Sequence, residues 1–361
     1  MVESKRYRFK EVKDFAVRYF SAMNVPEIDA RIAADVLLSA DLRGINSHGV
    51  IRLRSYYGDR LEKGLINSSS PIKTLTETPS TLALDGGNGL GPVVAYRAMS
   101  RCIEMADETG LAVTTVKNSN HFGIAGYYAM MALAEDMIGV SLTNSQPLVP
   151  PTFGISRVLG TNPIAVAIPA GEEKSFVLDM ATSIVPLGKI SVYEKTGKSI
   201  PEGWAINKRG ELTQNPSEVI DGGALLPLGG PALMRGYKGY GLSLLVDLLS
   251  GVLAGAAFGQ KVGQPGREGN ADVGHFFAAL KIENFRPVDF FKADMDDYIH
   301  TIKNSPKLPG QERIYIHGEK EDELTEQNMR EGLPLLDEIV VALEKAAEQA
   351  GIGFNLKPIK D

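Results

Sequence analysis

The stretch Gly44-Ile-Asn-Ser-His-Gly-Val-Ile-Arg52 holds a histidine and an arginine four residues apart. The imidazole of His48 can move a proton near neutral pH. The guanidinium of Arg52 can hold a carboxylate through two parallel hydrogen bonds. On one helix, residues at this spacing project from one face. Together they suit a small 2-hydroxy or 2-oxo acid, with Arg52 on the carboxylate and His48 at the neighbouring oxygen. Ser47 reads as the N-cap of that helix and as a further substrate contact. The competing reading is a surface helix whose His and Arg are merely solvated.

Asn118-Ser-Asn-His-Phe-Gly123 directly follows a strand-like run, 111–116, so His121 lies in the loop off a strand end. Ligands of α/β sheets collect at such ends. Gly123 and Gly126 would let a flat ring or a phosphate come close. A turn with a hydrogen-bonded histidine is the alternative. Polar turns recur at 141–145, which includes Ser145, at 160–163, which includes Thr161 and Asn162, and at 179–183. Asp179 could orient a ligand or a histidine, or cap the next turn. Several such turns, rich in Asn, Ser, Thr and Gly, look like the rim of a ligand crevice. Arg235 and Lys238 stand beside a helix start, where they could hold a phosphate or simply be solvated.

Other chemistries find less support. Gly86-Gly-Asn-Gly-Leu-Gly91 lies between a strand and a helix, but lacks the Rossmann spacing and meets Pro92 at once. No acid follows the next strand where a ribose hydroxyl would bind, so a tight turn is the better reading. No G-x-S-x-G occurs. The histidines at 48, 121, 275, 300 and 317 form no HxxxH pair, and no metal-ligand spacing appears.

These residues need a scaffold. Residues 9–23, 27–42 and 47–63 read as three helices, with Gly44 ending the second through a left-handed cap. After a break at 68–71 the periodicity changes. Strands are predicted at 80–85, 111–116, 138–143, 164–168 and 175–178, and helices at 92–109 and 127–136. A strand at 276–282 following a long helix implies antiparallel pairing in a mixed sheet. Residues 240–258 read as a buried core helix, 263–274 as a loop, and 334–350 as a helix with proline in its first turn. Its stripe of Leu336, Ile339, Val340, Leu343 and Ala347 should pack on the N-terminal helices. The fold class is therefore layered α/β with a central mixed sheet. Residues 1–72 and 310–361 would form a discontinuous helical domain. Residues 73–309 would form the α/β domain, with an irregular excursion at about 190–220.

The net charge of −6, with acids and bases mixed, argues against nucleic acid and against an anionic membrane surface. The apolar run 240–258 is interrupted by Asp247 and several glycines, which speaks against a membrane span. The N-terminal charges are followed by no apolar region, so no signal peptide is expected. Cys102 is the single cysteine, read as core packing, and a reducing, cytoplasmic setting is expected.

Taken together, Arg43-Gly-Ile-Asn-Ser-His-Gly-Val50, Asn120-His-Phe-Gly123, Gly160-Thr-Asn-Pro163, Leu178-Asp-Met-Ala-Thr-Ser183, Pro201-Glu-Gly-Trp204 and Gly236-Tyr-Lys-Gly-Tyr-Gly-Leu242 resemble the type-2 malate/L-lactate dehydrogenase family, also called L-sulfolactate dehydrogenase-like. The resemblance spans nearly the whole chain. It implies a non-Rossmann NAD(P)-binding fold, a homodimer, and reduction of 2-oxo or cyclic imino acids. Malate is the first expectation, before lactate, sulfolactate, ureidoglycolate, diketogulonate or piperideine-2-carboxylate. NAD is expected before NADP. The family's proton-transfer histidine falls on His48, or in some members on His121, with Asp179 as a further catalytic candidate. Implied cofactor contacts are His121, Ser145, Asp179, Met180, Ala181, Leu228, Gly229, Gly310, Gln311 and Glu312. Gly123 and Lys238 join them from the residue reading, and Thr161 and Asn162 join Arg52 as substrate contacts. The alternative of another class is a non-catalytic protein that binds small acids.

Overall fold

The computed structural model describes residues 4–263 and 269–359. The chain opens with strand β1 (Ser4–Tyr7), then helices α1 (Phe9–Ala22) and α2 (Glu27–Leu42). In α1, Val12, Phe15, Ala16, Tyr19 and Phe20 are buried, the spacing of one helical face. Each large side chain there stabilises the fold by about 1.5–3 kcal/mol relative to exposure. Gly44 ends α2 at φ +74°.

The segment after it is not one helix. A 3₁₀ turn covers Asn46–His48, Gly49 is extended, a π-helical stretch covers Leu53–Gly58, and α3 (Asp59–Glu62) follows. The break has a cause in α2. Asp41 is buried, and its Oδ2 accepts from the Val50 N–H at 2.8 Å. A Cβ at position 49 would sit 1.9 Å from the Asp41 carboxylate, so only glycine fits. Ser47 therefore caps no helix.

A seven-stranded mixed sheet forms the centre. Its strands include β2 (Lys73–Glu77), β3 (Thr81–Asp85), β4 (Leu111–Ser119), β5 (Met137–Thr143), β6 (Ile164–Ile168) and β7 (Phe176–Met180). Asp179 and Met180 thus continue a strand and do not open a turn. Helix α4 (Gly91–Thr109), stopped by Gly110 at φ +88°, and helix α5 (Ala125–Met131) pack on this sheet. Buried Cys102 lies in the same core. The 86–91 loop is a tight turn whose glycines press against Ser70 and Pro71, so protein fills the space a phosphate would need.

The excursion carries α6 (Leu187–Lys195), α7 (Pro216–Ile220) and a small sheet of β8 (Ala205–Ile206), β9 (Leu212–Thr213) and β10 (Ala224–Leu225). Helix α8 (Tyr237–Asp247) runs on as a π-helical stretch over Leu248–Leu253. It is not the buried helix expected. Leu242, Leu244, Leu245, Leu248, Val252 and Leu253 are exposed, Leu253 by 61%. An apolar run is ambiguous by itself, because a face covered by a second chain and a face covered by the same chain read alike.

Of the predicted loop 263–274, residues 264–268 lie outside the described residues, and β11 (Val273–Lys281) already starts at its end. The sheet order is β2-β3-β4-β11-β5-β6-β7, parallel only between β3 and β4. Helices α9 (Val288–Lys303) and α10 (Glu319–Glu331) lead to β12 (Leu333–Leu336) and α11 (Asp337–Ala350). Pro334 sits in β12, paired with β1, and the last helix starts three residues later than expected. The α11 stripe joins one core cluster with α1 and α2, so the chain ends pack together.

Candidate active site

The C-terminal ends of β4 and β5 and the start of antiparallel β11 meet at one end of the central strands. A cavity of about 160 Å³ opens there, lined by Ser47, His48, Arg52, His121, Gly123, Ser145 and Thr161, with Tyr56, Arg60 and Asn120. A water needs about 10–15 Å³ on this measure, so a small organic acid fits.

The two histidines come from distant segments and meet face to face, ring centroids 5.5 Å apart and 20° from parallel. Gly91, at the start of α4, lets the His121 loop lie close: a Cβ there would be 2.1 Å from the His121 carbonyl oxygen. The Tyr57 hydroxyl stands 2.8 Å from His121 Nδ1, and the Gly123 N–H donates to the same nitrogen at 3.3 Å. A backbone N–H can only donate, so Nδ1 accepts and the neutral ring carries its proton on Nε2. Ser47 Oγ lies 2.9 Å from His48 Nδ1. The Arg52 Nε–H donates to the Ser47 carbonyl at 2.6 Å, and its guanidinium stacks 4.4 Å over the Tyr56 ring. Both contacts fix the guanidinium while leaving its Nη pair as a fork.

Burial first, and then the Arg52 charge, pushes the His48 pKa down to about 4. His121 is held well below the ordinary histidine value by burial, then by the charges of His48, Arg52 and His275. Both rings are therefore neutral at pH 7. Behind them His275 is buried, with Nδ1 2.8 Å from Thr143 Oγ1 and Nε2 2.8 Å from Ser119 Oγ. It stacks on Phe122 at 4.6 Å, next to His121 in the loop.

Asp179 is elsewhere. A second cavity, of about 250 Å³, is lined by Gly126, Asp179, Arg43, His317, Lys320 and Glu321, among others. Asp179 Oδ2 accepts from the Gly126 N–H at 2.8 Å. The carboxyl is accessible along the cavity, yet the protein packed around it raises its pKa to about 6, desolvation outweighing that hydrogen bond and the Arg43 charge. Asp179 touches neither His48 nor His121, so it cannot orient them as the sequence allowed.

The remaining candidates separate. Ser145 Oγ accepts from the Thr161 N–H at 3.0 Å, and both residues line the first cavity. Asn162 is wholly buried, tying Ser145 N–H to the Ser243 carbonyl, and braces the wall from behind. The Leu228 N–H donates to the Thr182 carbonyl, which sets Leu228 and Gly229 beside the segment that follows Met180 and Ala181. Lys238, Gly310, Gln311 and Glu312 are exposed and line neither cavity. Tyr56, Tyr57, Arg60 and His275 escaped the sequence reading. Tyr56 carried a signal, standing one turn beyond Arg52. Among the described residues no group of three or more His, Cys, Asp or Glu is placed to hold a metal ion.

A nicotinamide dinucleotide fits this donor set. The first cavity offers uncharged polar groups on Asn144, Ser145, Gln146 and Thr161, suited to a carboxamide. The second offers the Asp179 carboxylate, an acceptor for ribose hydroxyls. His121–Gly123 line the first cavity and Gly126, in the first turn of α5, lines the second.

Among known proteins, the malate/L-lactate dehydrogenase family matches residues 7–344. The chain is 51% identical to a malate dehydrogenase of Pyrococcus abyssi, over 95% of this chain and 94% of that one. It is 39% identical to an L-sulfolactate dehydrogenase of Methanocaldococcus jannaschii, over 95% and 96%. The solved structure of malate dehydrogenase from Pyrococcus horikoshii OT3 is similar with a TM-score of 0.91 and 46% identity, covering 98% of each chain.

Proposed function

The chain belongs to the malate/L-lactate dehydrogenase family, and from that premise we propose that it interconverts malate and oxaloacetate with NAD, in the cavity where His48, His121 and Arg52 meet. The observation that carries this reading is that cavity: two neutral imidazoles and a fixed guanidinium around a space the size of a small acid. Lactate, sulfolactate and ureidoglycolate are the alternatives within the same chemistry.

Arg52 binds the C1 carboxylate through its Nη fork, held in place by Ser47 and Tyr56. His48 takes the C2 hydroxyl proton on oxidation and returns it on reduction. A bound carboxylate offsets the Arg52 charge and so moves the His48 pKa back toward neutrality, where such a group serves best. His121, locked as an Nε2–H donor, holds an oxygen without exchanging charge. The nicotinamide supplies or accepts the hydride at C2 when bound. Ser145, Thr161, Asp179 and the Ala181–Leu228 neighbourhood hold the dinucleotide.

The exposed leucine face of α8 and its π-helical continuation is proposed to be covered by a second copy, in a homodimer. Sedimentation at micromolar concentration should give a dimer; a monomer would count against it. No helix among the described residues is long and apolar enough to cross a membrane.

The test is absorbance at the nicotinamide band with NADH or NADPH and a panel of 2-oxo acids. Oxaloacetate with NADH should be consumed fastest. Absence of turnover with every acid in the panel would overturn the assignment.

A further inference from the structure

We infer that Asp41 is a positioning residue for the reaction, whose carboxyl clamps the joint at Gly49 and so sets the His48 ring against the Arg52 fork. The inference rests on the dehydrogenase reading above and deepens it, adding a residue that lines neither cavity.

Helix stability does not explain Asp41. It stands in the last turn of α2, where the helix dipole disfavours a negative charge, and aspartate is a poor helix former. Its exposure is only 2%, and burial raises its pKa to about 7. What the residue does is close a loop. Its backbone carbonyl accepts from the Gly44 N–H at 3.1 Å, and its Oδ2 accepts from the Val50 N–H at 2.8 Å. The stretch 44–50, with Ser47 and His48 on it, is thus tied at both ends to one residue. Oδ1 is buried without a hydrogen-bond partner and lies against Gly49, which is extended at φ −85° and ψ −151°.

That joint decides where the two functional groups point. Before it, the His48 N–H donates to the Ile45 carbonyl at 2.9 Å and closes the 3₁₀ turn. After it, the Arg52 N–H donates to the Gly49 carbonyl at 2.9 Å and opens the next turn. The His48 ring stacks on His121, while the Arg52 Nε–H reaches back across the joint to the Ser47 carbonyl at 2.6 Å. In a continuous helix the backbone itself would fix how His48 and Arg52 stand to each other. Here an extended glycine lies between them, and glycine has the widest backbone freedom of any residue. The closeness of the carboxyl demands that glycine, and the bond to the Val50 N–H takes its freedom away. A displacement of about 1 Å in a reacting group costs on the order of 10²-fold in rate, so the clamp matters to the chemistry.

The competing role for Asp41 is to tie the loop to α2 for stability alone. Steady-state kinetics with NADH and oxaloacetate, beside NADH titration by fluorescence and thermal unfolding, would compare the unmodified enzyme, Asp41→Ala and Asp41→Asn. Asp41→Ala leaves the Val50 N–H without its acceptor. It should lower kcat/KM by about 10²-fold, through a lower kcat and a higher oxaloacetate KM together. NADH affinity should hold, because Arg43 is fixed separately by its 2.6 Å bond to Asp322. Asp41→Asn keeps the shape and an accepting oxygen, and its amide resembles the neutral acid, so kcat/KM should return to within about threefold of the unmodified value. Normal kcat and KM in Asp41→Ala, with only the Tm lowered, would assign Asp41 to the scaffold and overturn the inference. An Asp41→Asn variant as impaired as Asp41→Ala would overturn it too.

Hydrogen exchange on the unmodified enzyme stands in should Asp41→Ala not fold. Oxalate is the probe, added to the NADH complex until fluorescence shows it bound. If binding beside Arg52 needs the joint closed, bound oxalate must in turn hold it closed. The Val50 amide should then exchange at least about tenfold more slowly with oxalate, while the Ala33 amide, within α2, keeps its rate. An unchanged Val50 rate with oxalate bound would overturn the inference. If the unmodified enzyme turns over no 2-oxo acid, the dehydrogenase reading itself has failed and this inference falls with it.

Discussion

The cavity around His48 and the cavity around Asp179 both draw on the stretch 121–126, through His121 to Gly123 and through Gly126, yet present different charges. In the first, burial strips charge from the imidazoles, and among the described residues of the wall the Arg52 guanidinium stands beside them. In the second, acids and bases stand together: Asp179 and Glu321 with Arg43 and Lys320. Desolvation acts in both, lowering His48 to about 4 and raising Asp179 to about 6. The first wall therefore sets neutral rings beside the Arg52 guanidinium, and the second is a mixed, hydroxyl-accepting groove. A small acid and the ribose end of a dinucleotide have those opposite needs.

If that division is right, substitutions on the two sides should fail differently. The largest effect belongs to His48→Ala, which should lower kcat and kcat/KM alike by about 10²–10⁴-fold with NADH affinity retained. NADH titration by fluorescence beside steady-state kinetics checks it. Full activity in His48→Ala with turnover abolished in His121→Ala would reverse the two roles. Asp179→Asn should do the opposite, weakening NADH by about tenfold while the KM for oxaloacetate at saturating NADH stays put. A raised oxaloacetate KM with normal NADH binding would place Asp179 on the substrate side.

A further prediction concerns stability rather than activity, and the histidine behind the first cavity. His275 is buried with a pKa of about 3, against an ordinary value of 6.5. Between those values the unfolded chain binds a proton that the folded chain refuses. Its contribution is therefore fully present above about pH 6.5 and is lost as pH falls toward 3. Asp41, raised to about 7 by burial, works the other way: its folded form holds a proton, so its contribution fades as pH rises through about 4 to 7. Urea unfolding at pH 7 and pH 5 should show His275→Gln losing about 2 kcal/mol less than the unmodified chain on acidification. Equal losses would show that His275 does not set the acid limit.

Local pattern made part of this legible. Strand β6 spans the predicted 164–168, and α4 runs from the glycine before Pro92 to the residue before Gly110, because proline and glycine punctuate a helix whatever surrounds it. Strand β2 was missed since all five of its residues are exposed and show no alternation. Helix α10 was missed because its sequence, EKEDELTEQNMRE, is mostly charged or polar and offers only Leu324 and Met329 as apolar positions. The helix break at Gly49 depends on Asp41, a contact that no periodicity encodes. At the site, His48, Arg52 and His121 were legible as residue types at telling positions. Their stacking, the Tyr57 bond that sets the His121 tautomer, and the separation of Asp179 depend on segments distant in the chain.

The division between the two cavities can be tested without chemistry. Oxalate resembles the reacting end of a 2-oxo acid but has no reducible carbonyl. Its binding to the NADH complex, at saturating NADH, should be followed by fluorescence for the unmodified chain, Arg52→Lys and Asp179→Asn. We expect the unmodified and Asp179→Asn proteins to bind oxalate alike, and Arg52→Lys to bind it at least about tenfold more weakly, since a point charge cannot replace the fork. Oxalate binding that survives Arg52→Lys and disappears with Asp179→Asn would put the substrate in the other cavity and contradict the account.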